Sequence, residues 1–118
     1  MVSFDNYQRT KNVSLFLSFD MNLTLTHTNI FFEQINSLDS KSKELVRSKI
    51  ELIKLNPFRF KRIKSSRFNR VFRVRFSLRG IETRLIYVIL GQKIILVCLF
   101  DRDKGYNDLE KMLAKINT

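Results

Sequence analysis

The sequence predicts an α+β domain with an antiparallel sheet, its elements running β-α-α-β-β-β-α. Three observations carry this expectation. Between Arg70 and Phe76, the apolar Phe72, Val74 and Phe76 alternate with Arg73 and Arg75, and period-two alternation over a short run marks a strand with one buried face. Between residues 31 and 53 the apolar positions recur instead every three or four residues, the spacing of a helix stripe. From Arg84 onward two apolar runs are joined by Gly91-Gln92, a two-residue hairpin connection of the kind that takes glycine first.

Residues 1–20 read as an N-terminal appendage to a domain spanning residues 21–118. Met1 to Asn12 is polar, and Val13 to Phe19 is a short apolar run that suits an extra edge strand. A secretory signal would need a longer apolar core and a small-residue cleavage site. Met21 offers an alternative start for the functional chain. Leu23, Leu25 and His27 then alternate with Asn22, Thr24, Thr26 and Thr28, which predicts a first strand with a threonine-rich outer face.

Phe31, Ile35 and Leu38 predict a short helix that Thr28 or Asn29 can cap. Asp39 and Ser40 break it and can cap a second helix, with Val46, Ile50 and Ile53 buried and Lys41, Lys43, Arg47 and Lys49 in water. Asn56-Pro57 ends that helix, because the residue before proline is pushed out of helical geometry. Phe58 to Asn69 reads as a basic loop or short edge strand. The Arg70–Phe76 strand, a turn over Ser77 to Thr83, and the Arg84–Leu90 strand follow. Lys93 to Phe100 is apolar almost throughout, as in a strand covered on both faces. After a polar loop from Asp101 to Gly105, Asn107 can cap a last helix that buries Leu109, Met112, Leu113 and Ile116.

The chain is long enough for one domain, and at 44% hydrophobic with 11 Phe it can build a core. Its charge is less ordinary: 22 Lys+Arg against 11 Asp+Glu give a formal +11, which attracts polyanions. Half of those bases fall between Lys54 and Arg84, where Glu82 is the only acid. Cys98 is the single cysteine and sits in an apolar run, so a buried thiol, no disulfide framework and a cytoplasmic location are expected. His27 is the single histidine with no cysteine nearby, so no metal site is expected. No apolar run reaches the roughly 18 residues of a membrane span, and no membrane partner is expected.

The cations organise around the sheet. Arg73 and Arg75 share one face of their strand, and Arg84 opens the next, so three guanidiniums can meet on one side. Such a surface suits a phosphate backbone. Lys61, Arg62, Lys64, Arg67, Arg70, Arg79 and Lys104 are the candidates for extending it.

With the order of elements, Leu55-Asn56-Pro57 before a basic loop, the aromatic-Arg-Val-Arg strand of Phe72 to Arg75, Arg84-Leu85-Ile86-Tyr87, an apolar strand, and Arg102 followed four residues later by Tyr106, the chain resembles the RelE/ParE superfamily of toxins from toxin–antitoxin systems. The resemblance spans Met21 to Ile116 and is closer to the RelE-like, ribosome-dependent mRNA endoribonucleases. It implies a catalytic set of Arg73, Arg75, Arg84, Arg102 and Tyr106. It also implies cleavage of ribosome-bound mRNA by attack of a ribose 2′-OH on the neighbouring phosphate, without metal or small-molecule cofactor, and a RelB-like antitoxin that blocks the basic face. In that scheme Arg84, with Arg73 beside it, binds the charge that gathers on the non-bridging oxygens, since a planar guanidinium offers two parallel donors. Tyr106 stacks on a splayed base.

The residues depart from the best-known family pattern at the general base. That role is often a strand lysine, whereas arginine stays protonated, its pKa exceeding about 12. Tyr106, Lys104 and Lys64 remain as candidates. Two rival functions keep the same basic face: a ParE-like toxin that poisons DNA gyrase by binding, and a non-catalytic RNA- or ribosome-binding module.

Overall fold

The computed structural model describes residues 23–101 and 106–116, with Tyr106 and Asn107 described by their backbone alone. The elements are β1 (Thr24–His27), α1 (Asn29–Asn36), α2 (Ser40–Leu55), β2 (Lys61–Ile63), β3 (Val71–Leu78), β4 (Ile81–Leu90), β5 (Lys93–Asp101) and α3 (Tyr106–Leu113). This is the expected order, with the basic segment after Pro57 supplying β2, the short edge strand that is one of its two readings. The proposed appendage, residues 1–20, lies outside the described residues.

The strands form one sheet in the order β1-β5-β4-β3-β2. β2, β3, β4 and β5 pair antiparallel in sequence, but β1 lies parallel to β5, with Thr24 opposite Lys93 and His27 opposite Leu96. The sheet is therefore mixed, which corrects the purely antiparallel expectation. The reason is topological: the two helices carry the chain from β1 to the far edge, and three reversals then bring β5 back beside β1 in the same direction. Parallel neighbours require a long crossover of this kind. Both edge strands are short, β1 with four residues and β2 with three, which limits pairing with foreign strands.

The helix starts follow their capping chemistry. Thr28 Oγ1 accepts from Phe31 N at 3.0 Å at the start of α1, and Asp39 Oδ1 accepts from Ser42 N at 2.7 Å at the start of α2, each satisfying an amide that the helix itself leaves unpaired. Val46, Ile50 and Ile53 of α2 are buried as predicted. α3 begins at Tyr106, one residue before the Asn107 expected to cap it.

The turn expected over Ser77 to Thr83 shrinks to Arg79-Gly80. Both residues have positive φ, 56° and 79°, the signature of the two-residue turn whose twist matches its strands. The ladder consequently continues to Leu78 opposite Ile81. At the next hairpin Gly91 has φ 61°, as its first-position glycine predicted.

Each face of the sheet has its own core. Phe72, Val74 and Phe76 of β3 join Leu85, Tyr87 and Ile89 of β4 beneath α1 and α2. On the other face Val71, Ile86, Val88, Ile95, Val97, Cys98 and Phe100 pack beneath Leu109 and Leu113 of α3. Cys98 and Tyr87 are fully buried, the thiol as expected from its apolar run. β5 has a register shift opposite Ile86/Tyr87, and beyond β1 its open edge is completed by side chains. Thr28 Oγ1 donates to Val97 O at 2.7 Å, and the Gln34 amide both donates to Leu99 O at 3.0 Å and accepts from Leu99 N at 2.7 Å.

Candidate phosphate-binding face

The face beneath α3 changes character along the strands. On β3 its residues run Val71, Arg73, Arg75, and on β4 they run Val88, Ile86, Arg84, Glu82. Apolar side chains lie under α3, and past them the same surface becomes cationic. Shortening the turn to Arg79-Gly80 sets the register: Arg75 stands directly opposite Arg84, and Arg73 opposite Ile86 on one side and Lys61 on the other. Lys61, Arg73, Arg75 and Arg84 therefore share one patch.

Like charges placed directly opposite on a strand pair destabilise it, so this arrangement is costly to the fold. The structure offsets part of the cost with Glu82, whose Oε2 accepts from Arg75 Nε at 2.9 Å and lies 2.6 Å from its Nη2. Arg84 has no such relief at its Nε, a buried atom with no hydrogen-bond partner among the described residues. A buried donor left unpaired costs about 1–3 kcal/mol. An anion bound between Arg84 and Arg75 would quench the repulsion between them.

The other candidate cations are spread more widely. Arg62 is exposed, and its Nε donates to Asn69 O at 2.9 Å, bracing the loop before β3. Lys64 and Arg67 belong to that loop, which Glu110 of α3 holds through Ser65 Oγ at 3.2 Å and Ser66 N at 3.1 Å. Arg70 lies 5.7 Å from the centre of the Phe58 ring. Arg79 is turned to α2, its Nη2 2.8 Å from Asp39 Oδ2, so its charge is spent on the N-terminal end of that helix. Arg102 and Lys104 lie outside the described residues, and of Tyr106 only the place at the start of α3 is described. His27 is exposed at the end of β1 and stacks on Phe32, with ring centres 5.6 Å apart.

Sequence reasoning missed Glu82. Its signal was present, since it is the only acid between Lys54 and Arg84, but its closeness to Arg75 depends on a turn of two residues. With a seven-residue turn the two would not be diagonal neighbours.

A mixed five-stranded sheet with two helices on one face and a third helix on the other is a RelE-like fold. The solved structures it is similar to are those of the Escherichia coli toxin RelE. A doubly arginine-to-alanine substituted RelE in the free state matches with a TM-score of 0.62 at 12% identity, over 81% of this chain and 100% of that one. Isolated RelE matches with a TM-score of 0.55 at 13% identity, over 80% and 99%. The intact RelBE toxin–antitoxin complex matches with a TM-score of 0.53 at 16% identity, over 70% and 99%. No protein-family model and no curated protein matches the sequence.

Proposed function

We propose that this chain is the toxin of a toxin–antitoxin pair and that it cleaves translated mRNA on the ribosome. What supports the reading most is the direct opposition of Arg75 and Arg84, with a buried Arg84 Nε that lacks a partner among the described residues. That is an uneconomic placement for a sheet and a useful one for a phosphodiester. In-line attack by a ribose 2′-OH concentrates negative charge on the non-bridging oxygens, and preorganised donors for such charge contribute about 10²–10³ each in rate. Arg84 takes the oxygens, with Arg73 and Arg75 beside it. Arg102 and Tyr106 complete the set implied by the family resemblance, Tyr106 stacking on a base. Lys61 and the loop cations guide the strand, and the ribosome holds the mRNA in a near-attack geometry that this small site does not impose alone. The RelBE neighbour is a toxin bound to its antitoxin, and a RelB-like partner covering the basic face is the corresponding proposal here.

The reading is tested by inducing the wild-type chain and an Arg84→Ala/Tyr106→Phe variant in cells and mapping mRNA 5′ ends by primer extension. Growth arrest with new cuts inside translated frames, both lost in the variant, is the expected result. Arrest without cuts, unchanged in the variant, would overturn the nuclease and favour gyrase poisoning.

A further inference from the structure

We propose that Glu82 is the general base of the cleavage, taking the proton of the attacking 2′-OH. The proposal rests on the nuclease reading above and supplies what the arginines cannot. A guanidinium stays protonated in proteins, so Arg73, Arg75 and Arg84 bind charge but accept no proton.

Glu82 lies on the same face of β4 as Arg84, two residues earlier, and faces Ser77 on β3, diagonal to Arg75. Residues two apart on a strand are about 7 Å apart, so the carboxylate stands beside the phosphate position without occupying it. Both contacts to Arg75 end on one oxygen, Oε2, which fixes the side chain's direction. Its side chain is 29% exposed, open enough for a ribose to reach. The other described carboxylates near the sheet are placed elsewhere. Asp101 is opposite Thr83 and so belongs to the α2 side. Glu110 is held by Ser65 and Ser66, and Asp39 by Ser42 and Arg79.

The 2′-hydroxyl of a ribonucleotide adjoins its own 3′-phosphate. With that phosphate on Arg84 and the ribose toward Arg75, the hydroxyl meets the Glu82 carboxylate. The 2′-O–H proton passes to Glu82 as the 2′-oxygen bonds to phosphorus. The bond from phosphorus to the 5′-oxygen breaks, and that oxygen leaves with the electron pair and is protonated by water. The products are a 2′,3′-cyclic phosphate and a 5′-hydroxyl, and Glu82 then releases its proton to solvent.

The decisive variant is Glu82→Gln, which keeps an oxygen for Arg75 to donate to but cannot take up the proton. Cleavage of a programmed ribosome complex is expected to fall by about 10²–10⁴, while binding to the same complex is kept or tightened because a negative charge leaves the basic face. Glu82→Thr, a polar β-branched neighbour for Ser77, repeats the measurement in a side chain suited to the strand, and thermal melts confirm that each variant is folded. Cleavage within tenfold of wild type in either folded variant would overturn the proposal and leave Glu82 as a brace for Arg75. Loss of cleavage together with loss of ribosome binding would overturn it too, as a structural effect. Arg84→Ala, run in parallel, separates the two ideas: cleavage lost there but kept in Glu82→Gln removes only the base, and no cleavage by wild type removes the nuclease reading and the base with it.

Discussion

The hydroxyl of Tyr87 donates to the carbonyl of Pro57 across 2.6 Å, fastening the middle of β4 to the residue just past the end of α2. The ring is fully buried and stacks on Phe72 with centres 5.3 Å apart. Tyr87→Phe leaves the Pro57 carbonyl without this donor and is expected to cost about 1–3 kcal/mol, read as a lower midpoint in urea. Burial also pushes the Tyr87 phenol above its ordinary range. The stability this represents is complete below about pH 10, where the unfolded phenol is still protonated. It is lost as pH rises toward the folded value, since the unfolded chain gives up its proton first. The alkaline decline should be shallower in Tyr87→Phe.

Arg84 is expected to separate stability from activity. Arg84→Ala removes one member of a like-charge pair and a buried unpartnered donor, so its thermal midpoint should stay level or rise by a few degrees. Its cleavage should fall about 10²–10³. A matched loss of both would show that Arg84 mainly packs against the sheet.

Gln34 acts as a substitute strand, meeting both the donor and the acceptor of Leu99 beyond the end of β1. Gln34→Ala exposes or orphans both groups and is expected to destabilise by about 2 kcal/mol. The Leu99 amide should then exchange with solvent deuterium far faster than the amides of Leu85 and Ile86 in the neighbouring strand.

Asp39 supplies an acid-sensitive fastening. The Ser42 backbone N–H, followed by the Arg79 guanidinium, holds its carboxyl at about 2, below the ordinary 3.8. A lowered folded pKa gives stability that is complete above 3.8 and is lost as pH falls through about 2. Asp39→Asn keeps an N-cap acceptor but carries no titrating charge. Thermal melts between pH 5 and pH 2 should therefore decline less steeply in the variant than in the wild type.

Much of this architecture was legible because local chemistry and tertiary demand agree. The Thr28 and Asp39 caps, the Val46-Ile50-Ile53 stripe, the Pro57 stop and the Gly91 turn each follow from one residue type at one position. What was not legible depended on long-range or conformational facts. Arg79 adopts φ 56°, a region that non-glycine residues rarely visit, so the Arg79-Gly80 turn hid inside what reads as a longer loop. With it went the opposition of Arg75 to Arg84 and the contact of Arg75 with Glu82. The parallel pairing of β1 was likewise invisible, because alternation in Leu23, Leu25 and His27 says which face is buried and nothing about direction. The cationic character of the face was legible from Arg73 and Arg75 alone, since alternation assigns both to one side.

The parallel edge has a consequence for the order in which the chain assembles. Arg73, Arg75 and Arg84 belong to a hairpin whose strands are joined by two residues, so their pairing can begin as soon as β4 leaves the ribosome. β1 must wait for β5, and the bond from Thr28 to Val97 closes a separation of 69 residues. Because a long loop gives up more entropy on closure than a short one, docking of β1 is expected to come after the hairpin. The arginine face is thus drawn early in synthesis, and the last strand is what joins the first to the sheet.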